Sequence, residues 1–120
     1  MTKTYIFLRN VRFYAFHGVM PQEQKVGGEF MVDLQVGYPF EAAMQSDEVT
    51  DTLNYAELYD LVKTEMAIPS QLLEHVAGRI VESINRRFPK VASIDLKITK
   101  INPPMGADCD GAGVRLLIEN

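Results

Sequence analysis

The chain has 120 residues, 47% of them hydrophobic, enough for one domain with a real core. Its 16 acidic and 12 basic residues give a net charge of −4 with no block of like charge, which speaks against a nucleic-acid partner. One cysteine excludes an internal disulfide, and with two histidines it shows no metal-ligand spacing.

The first strand is expected near Tyr5 to Tyr14, a run rich in aromatic and branched residues. Its apolar start, Tyr5-Ile6-Phe7-Leu8, is too short for a signal segment. No stretch reaches membrane-spanning length, so the expected location is cytoplasmic, with no membrane partner. A loop is expected from His17 to Gly28. In the second strand Phe30, Val32, Leu34 and Val36 alternate with Met31, Asp33 and Gln35, the pattern of a half-buried strand. Residues 37–53 give no clear pattern.

Asn54 predicts a helix start, with Glu57 placed three residues on as in a capping box. Leu58, Leu61, Val62 and Met66 form the apolar stripe of that helix. After Ile68-Pro69, Ser70 reads as the cap of a second helix. Leu72, Leu73, Val76, Ala77, Ile80, Ile84 and Phe88 line one side of it, Glu74, Arg79, Glu82 and Arg86 the other. The third strand spans Ile94 to Lys100 and the fourth Val114 to Glu119. Two strand pairs flanking two helices predict an α+β fold, a four-stranded antiparallel sheet with both helices on one face. The other face, with Asp33, Gln35, Ser93, Asp95, Lys97 and Thr99, either stays wet or lines the interior of a larger assembly.

Lys100 is the most informative residue. It closes the third strand in phase with Ile94, Leu96 and Ile98, so it points along the buried face. There it either snorkels to water or sits at a pocket rim, where desolvation disfavours its charged form and readies it to trade protons. Glu74, in the first turn of the second helix, either complements the helix dipole or accepts two N–H donors from a planar ligand edge. Tyr55 either packs at a helix start or stacks on a flat ligand. Glu23 lies in the glycine-flanked loop, where binding residues are often placed. His17, ahead of Gly18, reads as a turn or packing histidine, and no phosphate-loop or serine-hydrolase motif is present.

Four segments in order carry a resemblance: Arg12-Phe13-Tyr14-Ala15-Phe16-His17-Gly18 with Glu23 downstream, Asp51-Thr52-Leu53-Asn54-Tyr55, Leu72-Leu73-Glu74-His75, and Ile98-Thr99-Lys100-Ile101-Asn102-Pro103-Pro104. Together they resemble the dihydroneopterin aldolase family over almost the whole chain. The resemblance implies the tunnelling fold, in which the sheets of several subunits join into a barrel, commonly as two stacked rings of four. It implies no cofactor and a metal-free retro-aldol reaction. The products would be 6-hydroxymethyl-7,8-dihydropterin and glycolaldehyde, and C2′ epimerisation would accompany cleavage. Glu74 and the backbone of Leu73 would hold the pterin edge. Tyr55 of a neighbouring subunit would stack on the pterin and assist proton transfer. Lys100 would be the general acid/base, and Glu23 would bind substrate and orient Lys100. Asn10 stands where the family favours glycine, and Ala15 and Phe16 replace the commoner Gly-Tyr. Cys109 lies in a loop where no cysteine is expected. None of these touches the proposed site.

Two alternatives stay open. An epimerase acting on dihydroneopterin triphosphate would need further cations near the substrate tail, with Lys25 and Arg9 as the residues to place. A non-catalytic pterin-binding subunit would bind without turnover. A zinc-dependent pterin synthase of the same fold is disfavoured by the lack of a third histidine.

Overall fold

A computed structural model describes residues 2–120. In chain order the elements are β1 (Tyr5–Ala15), α1 (Pro21–Val26), β2 (Gly28–Gly37), α2 (Glu41–Ser46), a 3-10 turn (Val49–Asp51), α3 (Tyr55–Met66), α4 (Leu73–Arg87), β3 (Ser93–Ile101) and β4 (Gly111–Glu119). The strands form one antiparallel sheet in the order β1-β2-β3-β4, the α+β arrangement expected. Two elements were not anticipated. The expected loop from His17 to Gly28 contains α1, and the patternless stretch 37–53 contains α2. Both are six residues long and bury no side chain, so they leave no apolar stripe to read.

α3 and α4 pack on one face of the sheet. Leu58, Leu61, Val62 and Met66 of α3 and Val76, Ile80 and Ile84 of α4 meet Val32, Leu34 and Val36 of β2 and Ile94, Leu96 and Ile98 of β3. Burying each such side chain is worth about 1.5–3 kcal/mol, which is why period-2 strands and period-3.6 helices settle with these faces together.

The alternation of β1 breaks at one place. Leu8 pairs with Leu34 but Val11 with Val32, so β1 spends one extra residue at Arg9-Asn10. Asn10 takes a left-handed backbone, φ 53°, and its N–H donates to Asp33 Oδ1 at 2.9 Å. Asparagine tolerates that conformation better than most residues, so it can stand where glycine is common. The bulge shifts the inward set from Ile6 and Leu8 to Val11, Phe13 and Ala15.

The opposite face of the sheet is polar along β2 and β3 and laced by ion pairs, with Phe7 and Leu117 exposed on the outer strands. Arg115 grips Asp95 with two nearly parallel bonds, Nε–Oδ1 at 3.0 Å and Nη2–Oδ2 at 2.7 Å. That fork holds the Asp95 carboxyl below its ordinary range. β1 and β4 are the outer strands, each with one free edge among the described residues. No described helix is long and apolar enough to cross a membrane.

Candidate active site

β3 continues to Ile101, and Lys100 is paired in its ladder with Phe30 on one side and Ala112 on the other. The strand has not frayed. Lys100 therefore keeps the inward phase of Ile94, Leu96 and Ile98, and its side chain is only 16% exposed. Its Nζ lies 5.4 Å from the centre of the Phe30 ring, a cation–π contact, and 3.4 Å from the His17 carbonyl oxygen. It pairs with Oε2 of Glu23.

Glu23 is the third residue of α1, not a free loop residue. Its other oxygen, Oε1, accepts the Met20 N–H at 3.2 Å, so the short helix aims the carboxylate at Lys100. The bond from Lys100 is the main cause holding the Glu23 carboxyl below its ordinary range; burial opposes it, and the Met20 N–H assists.

Lys100, Glu23, His17, Gly18, Gln71 and Leu73 open onto one recess of about 170 Å³. Leu73 and Glu74 begin α4, and the N–H groups of both lack partners among the described residues. Nor does any described residue bond to the exposed Glu74 carboxylate. Leu73 thus brings the start of α4, with two unpartnered backbone donors and the neighbouring Glu74 carboxylate, to the recess that holds the lysine–glutamate pair.

Tyr55 is elsewhere. It is the first residue of α3, 67% exposed, and shares a largely apolar cavity of about 510 Å³ with Ile6, Phe40, Met44 and Leu53. Ile6 is level with Ile94 through Val36, six residues along β3 from Lys100, roughly 20 Å at the usual strand rise of about 3.3 Å. Within one chain Tyr55 and Lys100 are at opposite ends of the sheet. Asn54 caps α3 as expected, its Oδ1 accepting the Ala56 N–H at 2.9 Å. The capping box does not form: Glu57 turns outward, 3.9 Å from Arg87.

Three residues were misplaced or missed by sequence reasoning. Ser70 is not a helix cap; α4 starts three residues later, after Leu72, and Ser70 is buried. Its N–H donates to His17 Nδ1 at 3.1 Å. Arg79, expected on the polar side of α4, turns inward to Glu65 at 3.0 Å. Phe30, the cross-strand partner of Lys100, was read only as core.

His17 is 1% exposed and stands edge-on to Phe30 at 5.2 Å. Because a backbone N–H can only donate, Nδ1 must be unprotonated and the ring neutral with its proton on Nε2. Nε2 has no partner in hydrogen-bond geometry, although the Met66 backbone nearby pulls the pKa upward. Burial dominates, with Arg79 reinforcing it, and the pKa falls to about 4 from 6.5. Below pH 6.5 the unfolded chain takes up a proton that the folded one refuses. Stability conferred by the neutral ring is complete above 6.5 and is lost as pH falls toward 4. Between pH 7 and 4.5 the native protein should lose about 2–3 kcal/mol more than His17→Gln in denaturant titrations. Parallel pH curves for the two proteins would refute this.

A family model described as dihydroneopterin aldolase matches residues 6–117. The chain belongs to the dihydroneopterin aldolase family. It is 42% identical over 116 residues to the dihydroneopterin aldolase of Staphylococcus epidermidis, covering 96% of each chain. To that of Streptococcus pyogenes serotype M1 it is 37% identical over 115 residues, covering 92% of this chain and 94% of the other. The crystal structure of the FolB protein of Vibrio cholerae superposes with a TM-score of 0.90 at 26% identity, covering all of both chains. The dihydroneopterin aldolase of E. coli, solved with neopterin, shares the fold with a TM-score of 0.87 at 24% identity, over 96% of this chain and 98% of that one. The family match takes in every site residue singled out above.

In this member of the dihydroneopterin aldolase family Gly18 has a specific duty. A Cβ there would collide with the Glu23 side chain and stand 2.7 Å from Oε1. Gly18→Ala should push Glu23 off Lys100 and lower kcat about tenfold or more, since misplacements near 1 Å cost up to a hundredfold. Unchanged kcat with an unchanged melting temperature would show that Glu23 can yield without harm.

Proposed function

We propose that the recess around Lys100 is the acid/base end of a pterin aldolase site completed by Tyr55 of a second copy. As a member of its family the chain is a lyase of folate biosynthesis that cleaves 7,8-dihydroneopterin. The observation that carries the site assignment is the partly buried Lys100–Glu23 pair in one recess with Leu73, the residue that opens α4.

On this reading the free N–H groups of Leu73 and Glu74 donate to a pterin carbonyl. The Glu74 carboxylate accepts the two N–H donors of the adjoining 2-aminopyrimidinone edge, as it would from an arginine fork. Lys100 moves protons. A proton leaves the side-chain hydroxyl at C2′, the C1′–C2′ bond breaks, and glycolaldehyde departs. The electron pair moves into the substrate's own N5=C6 imine, giving an enamine protonated at N5. Protonation of the exocyclic carbon and loss of the N5 proton then give 6-hydroxymethyl-7,8-dihydropterin. The substrate supplies the electron sink, so this chain need only place donors and acceptors. Glu23 steers Lys100 with Oε2 while its Oε1 is held by the Met20 N–H. Re-addition of the aldehyde after rotation would epimerise C2′.

Two free sheet edges, an open sheet face and a site split between sheet ends support a ring of subunits, with two rings of four as the specific proposal. The triphosphate alternative draws no support from the cations. Arg9 stacks on Phe7 at 5.0 Å on the polar face, and Lys25 is exposed in the last turn of α1.

The test is incubation with 7,8-dihydroneopterin and its triphosphate side by side, with products separated. Glycolaldehyde from the free pterin is expected. Epimerised triphosphate with no cleavage of the free compound would overturn the reading.

A further inference from the structure

Behind the recess lies a polar cluster that the chemistry above does not use. Arg79 of α4 donates four hydrogen bonds. Nη1 reaches the Glu65 carbonyl at 2.9 Å and Glu65 Oε1 at 3.0 Å; Nη2 reaches the Ile68 carbonyl at 2.9 Å and Ser70 Oγ at 3.1 Å. Glu65 Oε2 in turn accepts from Ser83 Oγ at 2.8 Å. Part of this is helix capping, since Arg79 adds to the Ile68 N–H on the Glu65 carbonyl and bonds the Ile68 carbonyl just past the end of α3. Capping does not need Ser70.

Ser70 joins two arms of the site. Toward the sheet, its N–H donates to His17 Nδ1 and its carbonyl accepts the Gly18 N–H at 3.0 Å. That turn bears the carbonyl facing Lys100 Nζ and the glycine against which Glu23 lies. Toward α4, Ser70 Oγ is 2.9 Å from His75 Nδ1, one residue from Glu74. Arg79 can only donate, so Oγ accepts from it while also bonding His75 Nδ1.

We infer that Ser70, clamped by Arg79, is a positioning residue for the aldol chemistry: it sets the distance between the turn that backs Lys100 and Glu23 and the turn that opens α4. The inference rests on the proposed roles of Lys100 and Glu23. Its physical basis is that Ser70 cannot shift without moving one arm relative to the other. The guanidinium fixes the hydroxyl through a rigid fork that lysine does not reproduce.

Ser70→Ala is the decisive variant, because it keeps both backbone bonds and the α3 cap while losing only the Oγ contacts. The pterin edge is gripped by α4's own first turn, which survives. Binding of 6-hydroxymethylpterin, followed by calorimetry, should stay within about threefold with unchanged stoichiometry. The acid/base end is the part left loose, so kcat per titrated site should fall about 10–100-fold. Arg79→Met should show the same split. A wild-type kcat in Ser70→Ala overturns the inference. So does a fall in binding stoichiometry with kcat per titrated site unchanged, the mark of a purely structural residue. Lys100→Ala measured alongside separates the two failures. Full activity there overturns the underlying reading, whereas an inactive Lys100→Ala beside a fully active Ser70→Ala overturns the positioning role alone.

Discussion

Replacing Lys100 with alanine should lower the single-turnover rate by about 10²–10⁴ while leaving pterin binding within a few-fold, since general acid–base catalysis is worth that much and acts only as protons move. The geometry sets this apart from the opposite end of the recess. Lys100 contacts Glu23, the His17 carbonyl and the Phe30 ring, and none of these belongs to the α4 turn proposed to hold the pterin edge. Glu74, exposed and without a partner among the described residues, is proposed to bind an edge that changes little during reaction. Its contribution should be nearly uniform across ground and transition states. Glu74→Ala should therefore weaken binding by about 2–4 kcal/mol, the cost of losing a charge-assisted pair and stranding its donors. Glu23→Ala should fall between the two, because its carboxylate touches Lys100 and borders the same recess. Equilibrium binding of a pterin product and rapid-quench kinetics on the three variants decide the matter. Abolished binding in Lys100→Ala with merely slowed chemistry in Glu74→Ala would reverse the roles.

What the sequence made legible follows from period. The α3 stripe Leu58, Leu61, Val62 and Met66 and the β3 triplet Ile94, Leu96 and Ile98 are all buried as their spacing required. The inward phase of Lys100 came from the same alternation, so one candidate site residue could be placed from physics alone. Glu23, Tyr55, Leu73 and Glu74 could not be singled out that way; short motifs shared with a family pointed to them, because periodicity marks burial and not a role toward a ligand. α1 was illegible for a related reason. Its six residues bury nothing, yet it aims Glu23. Ser70 and Arg79 were misread because each follows a sound local rule that tertiary structure overrides. A serine after Ile68-Pro69 resembles a cap until His17 claims its N–H from 53 positions away in sequence. An arginine on the polar side of α4 looks solvated until the open end of α3 offers it carbonyls.

Mixing two impaired proteins should restore activity that neither has alone. Tyr55 lies beside Ile6, whose level on the sheet is roughly 20 Å along the strands from Lys100 by the usual rise per residue. A site needing both must therefore draw them from different copies. The exposed ring of Tyr55 and the largely apolar cavity beside it would then face the recess of a neighbour. Such contacts are head-to-tail, and they close into a ring when the rotation permits. Tyr55→Ala removes a surface ring at little cost to folding, and Lys100→Ala removes a strand-end side chain, so both variants should assemble. Unfolded together in equal amounts and co-refolded, they should form mixed rings in which about one quarter of sites hold both native residues, the statistical share for a head-to-tail interface. Activity should rise toward that fraction of wild type. The same variants refolded separately and mixed afterwards should stay inactive unless subunits exchange. No recovery on co-refolding, or full activity in a species that light scattering shows to be a monomer, would place Tyr55 outside the site and leave Lys100 and Glu23 to work without it.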